Sequence, residues 1–581
     1  MSAVHKLITD HLDIWTAAET KKKSGRGRAS GNANSVYGIK KLRELILELA
    51  VRGKLVPQDP NDEPSSELVK RINAEKKRWV KVGKIRNGKA LPKIEPTEET
   101  YDKPQNWEWI RLGDLGDWGA GATPSRANSS YYGGTTPWFK SGELTADFID
   151  TAEETVTELA LKECSLRLNQ LGDVLIAMYG ATIGKTAILK AIATTNQAVC
   201  ACTPCTGILN TYLLVLLKAL KSNFIGQGAG GAQPNISREK IIATVAALPP
   251  TEEQHRIVAK VDELMALCEQ LEAQHNNAAD AHEQLVSHLL STLTQSQDAA
   301  DFNANWQRIA THFDTLFTTE SSIDALKQTL LQLAVMGKLV PQDPNDEPAS
   351  ELITRIQAEK AKLVAEGKIK KEKSFSKIDE DEKPFELPSN WQWVRFGEIN
   401  TIRSELVRPE DFLEFRQVAP DCIEKGTGHI TENRTVAQSG IRGPNSRFYK
   451  GQIVYSKIRP SLSKAALVDF DGLCSADMYP IDTHINSSFM LKQILSECFL
   501  EQVRVAENRI KMPKLNMESL TAFILAIPPI DEQRRIVAKT GELIAICDQL
   551  KSRIAHIGQH RQKVADILVT GALSRAVQNS I

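Results

Sequence analysis

The sequence predicts an α+β protein in which one arrangement of long helices and a mixed α/β domain is built twice. The segment Leu49–Leu68 (LAVRGKLVPQDPNDEPSSEL) recurs without gaps at Leu333–Leu352, almost half the chain later, with eighteen of twenty positions identical. The helical segments Ile257–Leu271 and Ile536–Leu550 are near copies at a slightly smaller offset. Between these segments, short apolar runs alternate with glycine-rich turns, a pattern typical of strands. A period this long exceeds the ~20–50 residues of solenoid repeats and indicates duplication of whole domains.

The length and composition limit the classes to which this protein can belong. A length of 581 residues suggests about four domains, and 41% hydrophobic and 25% charged residues are ordinary for a soluble chain. No run of ~18 apolar residues could span a bilayer, and the N-terminus lacks the layout of a signal peptide, so we expect a cytoplasmic protein. The nine cysteines are then expected to be buried thiols. A formal net charge of zero neither suggests nor excludes nucleic acid, because phosphate contact depends on local charge.

The first frame is predicted over residues 1–103. A short helix within Met1–Thr20 precedes a basic, Gly/Ser-rich tether, and a helix over Gly38–Arg52 has the apolar spacing of a coiled coil. The prolines of PQDPNDEP then force turns before a helix over Ser65–Val82, with Ser65 or Ser66 as its N-cap.

The first mixed domain is predicted over residues 104–249. It opens with PQNWEWIRLGDL, in which apolar and polar residues alternate as in a strand. A helix over Ile208–Lys221 is expected to follow a series of strands: Thr136–Lys140, Asp173–Met178, Lys185–Ile192 and Ala198–Cys202.

The second copy follows the same order. The central frame, 250–387, begins with a long helix predicted to start at Thr251, with Gln254 completing a capping box, and to run to about Thr294. A polar linker over Thr294–Asn305 is expected before the repeated helix and arm. A second mixed domain over 388–529 and a C-terminal helix over 530–581 complete the chain.

The interiors of the two mixed domains show no visible sequence resemblance, whereas their flanks match closely. This pattern indicates a constant frame that holds two readers of different targets. Apolar seam residues are predicted to hold the frame together: Ile257, Val261, Leu264, Leu271, Ile536, Leu543 and Leu550.

The segment Tyr179–Thr186 (YGATIGKT) superficially matches a phosphate-binding loop. Such a loop needs four residues between its glycines, whereas Gly180 and Gly184 enclose three, so we reject ATP binding at this segment. Lys185 remains a candidate contact to a DNA phosphate.

The other motifs that could bind a metal or carry out catalysis have structural explanations. Cys200, Cys202 and Cys205 lack a second ligand pair at zinc-finger spacing and are expected to be buried thiols. Neither the cofactor loop and base-holding corner of an adenine methyltransferase nor the acidic cluster of a Mg²⁺ nuclease is present. The acids of the repeated QDPNDEP are expected to be solvated charges of a turn and a helix start. The sequence therefore predicts no catalytic residue and no metal site.

Basic residues carry the functional signal. The run Ser439–Lys464 contains six basic residues and interleaved aromatic residues but no acid, which favours tracking of a phosphate backbone and access to bases. In the first domain, the glycine-rich Gly226–Lys240 allows close approach of the backbone. Predicted DNA contacts are Arg126, Lys140, Lys185, Gln233, Asn235 and Arg238 in the first domain and Arg442, Arg447, Lys450, Lys457, Arg459, Lys464, Arg509, Lys511 and Lys514 in the second.

Several strings together resemble the specificity (S) subunit of type I restriction–modification enzymes over essentially the whole chain. They are LAVRGKLVPQDPNDEP, the W-x-W-x-x-x-G opening of each mixed domain, YGATIGK, SKIRP with GLCSADMYP, and the duplicated PP-x-x-EQ-x-RIVAK helix. The resemblance implies two target recognition domains, each of which reads one half of a bipartite, asymmetric site in double-stranded DNA. It also implies that the duplicated helices pack as antiparallel coiled coils on a pseudo-two-fold frame.

The resemblance further implies that this chain binds no cofactor. Methylation would belong to two modification subunits that bind S-adenosylmethionine, and cleavage to two motor-nuclease restriction subunits that use ATP and Mg²⁺. A helix of ~26 residues, such as Thr251–Asn276, is about 39 Å long, close to the ~34–36 Å of one DNA turn, so its length would set the gap between half-sites.

Two other functions stay open at this point. Binding of S-adenosylmethionine by the isolated chain would favour a self-contained DNA-modifying enzyme. DNA association of the reconstituted complex that is absent or insensitive to salt would favour a coiled-coil scaffold that does not bind DNA, because phosphate contacts demand a steep salt dependence.

Overall fold

The computed structural model describes residues 3–17, 36–85, 91–228, 235–297, 299–369, 375–403, 405–507 and 514–578. The chain divides into two compact units, one comprising Met1–Ala278 with Ile557–Ile581 and the other comprising Ala279–His556. The tether predicted at Lys21–Ser35 lies outside the described residues. Among the described helices, none combines the length and the apolar character that a membrane crossing requires.

The first unit contains eight complete α-helices in the described residues, together with the beginning of one long helix and the end of another. The helices are α1 (Ala3–Asp10), α2 (Leu12–Ala17), α3 (Tyr37–Val51), α4 (Ser65–Lys81), α5 (Glu158–Glu163), α6 (Asn210–Ala219), α7 (Lys221–Gly228), α8 (Arg238–Ala243) and α9 (Thr251–Thr294). The strands are β1 (Glu108–Arg111), β2 (Gly116–Ala120), β3 (Tyr132–Phe139), β4 (Phe148–Ile149), β5 (Thr155–Val156), β6 (Val174–Ala177), β7 (Thr186–Leu189), β8 (Thr194–Thr195), β9 (Val199–Pro204) and β10 (Val245–Leu248).

A five-stranded sheet of order β2-β9-β6-β7-β4 forms the centre of the first mixed domain, beside a three-stranded sheet of order β5-β3-β8. Every residue of β6 is buried, because the sheet is covered on both faces. Val174 and Ile176 belong to the core shared with the helices, whereas Leu175 and Ala177 belong to a second core with Phe139. The antiparallel pair of β1 and β10 brings the two ends of the domain together beside the start of α9.

The second unit has the same kinds of elements. Its helices are α10 (Ala299–Thr311), α11 (Phe313–Leu316), α12 (Glu320–Val335), α13 (Ala349–Ala365), α14 (Phe396–Ile399), α15 (Val436–Ser439), α16 (Ser487–Leu495), α17 (Glu497–Ala506), α18 (Met517–Ala522) and the beginning of α19 (Ile530–Gln578). Its strands are β11 (Gln392–Arg395), β12 (Asn400–Ile402), β13 (Leu406–Val407), β14 (Arg416–Val418), β15 (Arg434–Thr435), β16 (Asn445–Phe448), β17 (Ile453–Ser456), β18 (Ala465–Leu467), β19 (Gly472–Cys474), β20 (Met478–Thr483) and β21 (Ile524–Ile527).

The two mixed domains share one strand order although their sequences do not visibly resemble each other. The sheet β12-β20-β17-β18 repeats β2-β9-β6-β7, and all neighbouring strands in both are antiparallel. In each domain the second sheet contains a parallel pair, β3 with β8 in the first domain and β14 with β19 in the second. The distance along the chain between corresponding strands changes within the domain. It equals the larger distance between the two arms for β2 and β12. It equals the smaller distance between the two long helices for β6 and β17, β9 and β20, and β10 and β21. The net shortening of the second domain therefore lies between β2 and β6 and their counterparts.

Each unit has a helical core built from corresponding parts. In the first unit, α3 packs with the beginning of α9 and the end of α19, and Arg43 reaches Glu272 at 2.8 Å. In the second unit, α12 packs with the end of α9 and the beginning of α19, and Lys551 reaches Asp324 at 2.6 Å. The predicted α+β class with long frame helices is confirmed.

Two local predictions were wrong. The linker predicted at Thr294–Asn305 is largely helical, because α10 brings Phe302, Trp306 and Ile309, spaced by four and three residues, onto the helical core of the second unit. The leader forms two short helices rather than one.

The predicted helix caps also differ from the structure. The residue before α4 is Pro64, and Ser65 is a buried first helical residue. At the start of α9, the Thr251 hydroxyl donates to the Gly207 carbonyl at 3.0 Å, and the Gln254 side chain binds backbone groups of the mixed domain. These side chains therefore join α9 to the domain instead of capping the helix.

Candidate nucleic-acid interface

The segment between β6 and β7 is a hairpin loop. The Ala177 N–H donates to the Lys185 carbonyl at 2.8 Å, and a single 3₁₀ turn over Gly180–Thr182 fills the tip. Gly180 (φ 60°) and Gly184 (φ 75°) adopt the left-handed conformation that glycine tolerates without steric cost. A phosphate-binding loop leads from a strand into a helix, whereas this loop leads into the adjacent antiparallel strand. The geometry therefore agrees with the rejection of an ATP site at this loop.

The second unit repeats this hairpin loop between β17 and β18. The Ser456 N–H donates to the Lys464 carbonyl at 2.9 Å. This bond corresponds to the bond that closes the first loop, because both residues are as far along the chain from their counterparts as β17 is from β6. Arg459 (φ 46°) and Ser463 (φ 48°) occupy the two left-handed positions that Gly180 and Gly184 occupy in the first unit.

A second segment runs alongside each loop. Asn235 bridges to Tyr179 in the first unit, and Lys514 bridges to Ile458 in the second. The two bridges are as far apart along the chain as β6 and β17. The two units therefore have the same backbone arrangement beside the hairpin loop, with different side chains.

Four basic residues lie in or beside the second loop. Lys514 pairs with Asp477 at 3.2 Å, and Lys457 lies 5.4 Å from the centre of the Tyr479 ring. Lys464 donates to the Pro420 carbonyl. Arg459 is exposed, and within the described residues no carboxylate lies at ion-pair distance from it. Arg459 is therefore an exposed cation without a carboxylate partner among the described residues, and it lies on left-handed backbone.

The other basic candidates of the second unit have different surroundings. Arg442 and Lys450 are exposed. Arg447 lies between the rings of Phe412 (5.2 Å) and Tyr449 (4.9 Å) and pairs with Glu405 at 3.7 Å. Its position among aromatic rings favours a packing role.

In the first unit, Arg126 and Lys140 converge on one carboxylate. Arg126 lies 4.5 Å from the Tyr132 ring and 5.1 Å from the Trp138 ring and pairs with Glu154 at 2.5 Å. Lys140 reaches the same carboxylate at 2.5 Å. The hydrogen bonds from Arg126 and then Lys140 lower the pKa of Glu154 to about 2. Lys140 also lies 3.5 Å from Glu153, so each of the two cations has a carboxylate partner in this structure.

The remaining candidates lie near the first loop. Lys185 Nζ is 3.4 Å from the Gly142 carbonyl. Asn235 is exposed, and Arg238, the first residue of α8, contacts the Trp118 carbonyl at 3.4 Å and Glu239 at 3.3 Å. Gln233, Arg509 and Lys511 lie outside the described residues.

The cysteines at the first sheet are buried. Burial raises the pKa of the Cys200 thiol to about 12 and that of Cys202 well above its usual value, which disfavours the thiolate that metal binding needs. In the second unit, ligand atoms of Asp421, Cys422 and Glu432 lie within 4.8 Å of one another. Arg434 pairs with Asp421 at 3.0 Å and with Glu432 at 3.6 Å, so these carboxylates already have a cation and we assign no metal to them.

The repeated acidic turn contributes to a partly buried polar network. The side chain of its Asp62 is buried, which corrects the prediction of solvated charges for this residue, whereas Glu63 is exposed as predicted. The Glu253 carboxylate accepts hydrogen bonds from Trp107 Nε1 at 2.9 Å and from Gln58 Nε2 at 2.6 Å. Asp62, whose side chain is 6% exposed, accepts two hydrogen bonds from Arg256. We call these five residues the first joint. It ties the arm, the first strand region of the mixed domain and α9 together.

The second unit contains the same network, which we call the second joint. Glu532 accepts from Trp391 Nε1 at 3.0 Å and from Gln342 Nε2 at 2.7 Å, and Arg535 pairs with Asp346 at 2.5 Å. Burial raises the pKa of both Glu253 and Glu532. The sequence contains a signal for this network that our prediction missed: the acidic turn and the EQ-x-R segment carry complementary charges and are duplicated together.

The seam residues lie in the cores. Ile257, Val261, Leu264 and Leu271 are buried in the first unit. In the second unit Ile536 is buried, and Leu543 and Leu550 are partly buried against the helical core.

Comparison with known proteins gives a consistent set of relatives. The family described as type I restriction modification DNA specificity domain matches residues 104–280. The chain is 38% identical to the type I restriction enzyme EcoEI specificity subunit of Escherichia coli, over 98% of this chain and 100% of that one. It is 39% identical to the EcoAI specificity subunit of Escherichia coli, with the same coverage.

Among solved structures, a chain from a study of complex assembly and conformational transition of the type I R-M system is similar. It is 16% identical and covers 81% of this chain and 98% of its own length, with a TM-score of 0.48. We draw no conclusion from a similarity this low.

Proposed function

This chain belongs to the family of type I restriction enzyme specificity subunits, and we propose that its two mixed domains each read one half of a bipartite, asymmetric DNA site. As a specificity subunit, the chain confers DNA sequence specificity and is non-catalytic. We place target recognition domain 1 at residues 104–249 and target recognition domain 2 at residues 388–529.

The hairpin loops are the observation that carries this proposal. Two domains with the same strand order present the same loop backbone, yet Gly180 and Asn235 in the first correspond to Arg459 and Lys514 in the second. Equal backbones with unequal polar side chains are what two readers of different sequences require, because base edges are read by side chains. An asymmetric site follows, since identical readers would favour a palindrome.

The proposed DNA contacts comprise residues that the structure describes and three that it does not. In domain 1 they are Arg126, Lys140, Lys185, Gln233, Asn235 and Arg238. In domain 2 they are Arg442, Arg447, Lys450, Lys457, Arg459, Lys464, Arg509, Lys511 and Lys514. Among these, the exposed Arg442, Lys450 and Arg459 are the strongest candidates, whereas the enclosed Arg447 is the weakest.

We further propose the assembly in which this chain acts. Two modification subunits would bind S-adenosylmethionine, two restriction subunits would use ATP and Mg²⁺, and the complex would work in the cytoplasm. The two joints support two equivalent docking places for the modification subunits, because each joint holds the same groups in the same arrangement.

A domain exchange tests the proposal. Residues 388–527 are replaced by the corresponding domain of a relative with a different site, the chain is assembled with its modification subunits, and methylated sites are mapped by sequencing. We expect one half-site to change and the other to stay. The matched exchange of residues 104–248 should change only the other half. A change of both half-sites after one exchange would contradict the modular proposal.

The two other functions make different predictions for the same material. A self-contained enzyme would bind S-adenosylmethionine as an isolated chain, which isothermal titration would detect. A scaffold would leave DNA association of the complex absent or unchanged by salt, whereas phosphate contacts make the affinity fall steeply as salt rises.

A further inference from the structure

We propose that Arg459 reads a guanine in the half-site of target recognition domain 2 and that its strained backbone serves to present it. This inference rests on the proposed function and assigns a base to one residue. It would make domain 2 guanine-selective at one position where domain 1, with Gly180 in the same place, has no side chain to use.

The backbone of the loop is the first observation. Within the described residues, three non-glycine residues have positive φ, and two of them, Arg459 and Ser463, lie in this loop. The first unit has glycine at both places, Gly180 and Gly184, so the loop needs left-handed conformations there. A side chain at such a position is sterically unfavourable, and strain of this kind persists where the side chain has a function.

The surroundings fix the loop in this conformation. The Leu462 N–H donates to the Arg459 carbonyl at 2.9 Å, and the Ser463 N–H donates to the Pro460 carbonyl at 2.9 Å. The Ser461 N–H donates to Glu507 at 3.0 Å. The loop is also fastened to the neighbouring segment, where the N–H of residue 515 donates to the carbonyl of residue 457 at 2.8 Å. These hydrogen bonds hold the backbone of Arg459 in place before DNA binds.

The electrostatic surroundings leave Arg459 available. Lys514 has Asp477 as its partner. In the described part of the chain, no carboxylate pairs with Arg459, so a base would not have to displace one. Lys457 and Lys514 lie beside the loop and suit phosphates, because ammonium groups act as compact point charges.

Guanine is the base that fits this side chain. The planar guanidinium offers donors in a fixed fork, and guanine presents two acceptors, O6 and N7, in the major groove. The other bases do not present two adjacent acceptors there. The geometry points to Arg459 as a base reader flanked by lysines that position the backbone.

Methylation of a randomised DNA library by the assembled complex tests the inference. In the wild type, we expect guanine to be preferred at one position of the second half-site. Arg459→Gly should reduce that preference by roughly 5–150-fold and leave the first half-site unchanged. The melting temperature should not fall, because glycine relieves the backbone strain.

Two further variants separate the side chain from the backbone. Arg459→Lys keeps the charge but loses the fork, so we expect overall affinity to stay within ~10-fold while the guanine preference relaxes. Ser463→Gly relieves the same kind of strain without removing a charge and should leave base preference unchanged.

Several results would overturn the assignment. They are a second half-site without guanine, full guanine preference in Arg459→Lys, uniform weakening for all sequences in Arg459→Gly, or equal relaxation in Ser463→Gly. If the wild-type complex is site-specific and Arg459→Gly keeps that specificity, this inference fails while the proposed function stands. If the wild-type complex shows no preferred site, the proposed function itself fails.

Discussion

In each unit the joint beside the long helix uses the same five residue types, whereas the hairpin loop keeps its backbone and changes its side chains. The Trp–Glu hydrogen bond is 2.9 Å in the first joint and 3.0 Å in the second, and the Gln–Glu bond is 2.6 Å and 2.7 Å. At the loop, Gly180 corresponds to Arg459, and Asn235 corresponds to Lys514. This difference indicates that the two copies kept the same attachment of each mixed domain to its long helix, while the side chains of the loop diverged.

The physical reason lies in what each region can tolerate. A buried carboxylate such as Glu253 or Glu532 needs all of its donors, since removing one leaves a buried polar group unsatisfied. The hairpin loop is closed by hydrogen bonds between backbone groups, so its exposed side chains can change without loss of those bonds. Variants at the joints should therefore have equal effects in both units, whereas variants at the loops should not.

The largest effect is expected when the joint loses its tryptophan. Trp107→Ala and Trp391→Ala should each lower the free energy of unfolding of their own unit by ~3–5 kcal/mol, because each removes a buried aromatic side chain and a donor to a buried carboxylate. Amide hydrogen exchange, read by mass spectrometry on peptides of each unit, measures both losses.

The controls for this prediction are the next tryptophans along the chain. Trp109→Ala and Trp393→Ala truncate partly buried rings outside the joints and should cost less. A loss below ~1 kcal/mol at one joint together with a full loss at the other would break the equivalence of the two joints.

A smaller effect is expected at the glycines that end α3 and α12. Gly53 (φ 67°) and Gly337 (φ 71°) are left-handed, and an added Cβ would lie 2.4 Å and 2.6 Å from proline side chains of the mixed domains. Gly53→Ala and Gly337→Ala should each cost about 2 kcal/mol in urea unfolding, from the backbone penalty and the clash. Gly83→Ala is the control, since its φ is 74° and nothing lies within 4 Å of an added Cβ. Equal losses at Gly53 and Gly83 would mean that the contact with proline is unimportant.

The buried carboxylates make stability depend on pH. Burial raises the pKa of Glu253 and Glu532 above the unfolded value of 4.5, so the folded state binds more protons between the unfolded and the folded pKa. Stability contributed by these groups is therefore present below pH 4.5 and is lost as the pH rises through the raised folded pKa. Glu253→Gln should remove this decline of stability with pH in the first unit and leave the second unit unchanged. Urea unfolding from pH 4 to 8 measures it, and an unaltered pH profile in the variant would show that Glu253 does not titrate in this range.

The sequence predicted the duplication, the order of elements and the strand segments, because these depend on local patterns such as the repeated strings and apolar spacing. It did not predict the joint, since Asp62 meets Arg256 only when distant segments pack together. It predicted two mixed domains but not their common strand order, because buried strand positions such as Val174 and Ile453 accept different apolar residues. The left-handed φ of Arg459 could not be predicted from its residue type, since arginine rarely adopts it.

The smallest effect is expected at the ion pairs of Glu154 in the first unit. Glu154 pairs with both Arg126 and Lys140, and Lys140 also pairs with Glu153 at 3.5 Å, so Glu154→Gln should free Arg126 for a phosphate while Lys140 keeps a partner. We expect DNA affinity to rise a few-fold for all sequences and the slope of log affinity against log salt to steepen by about 1. Glu405→Gln is the matched control in the second unit, because Arg447 stays enclosed between aromatic rings and should not gain a phosphate. If the slope is unchanged in Glu154→Gln, the freed Arg126 does not reach the DNA backbone.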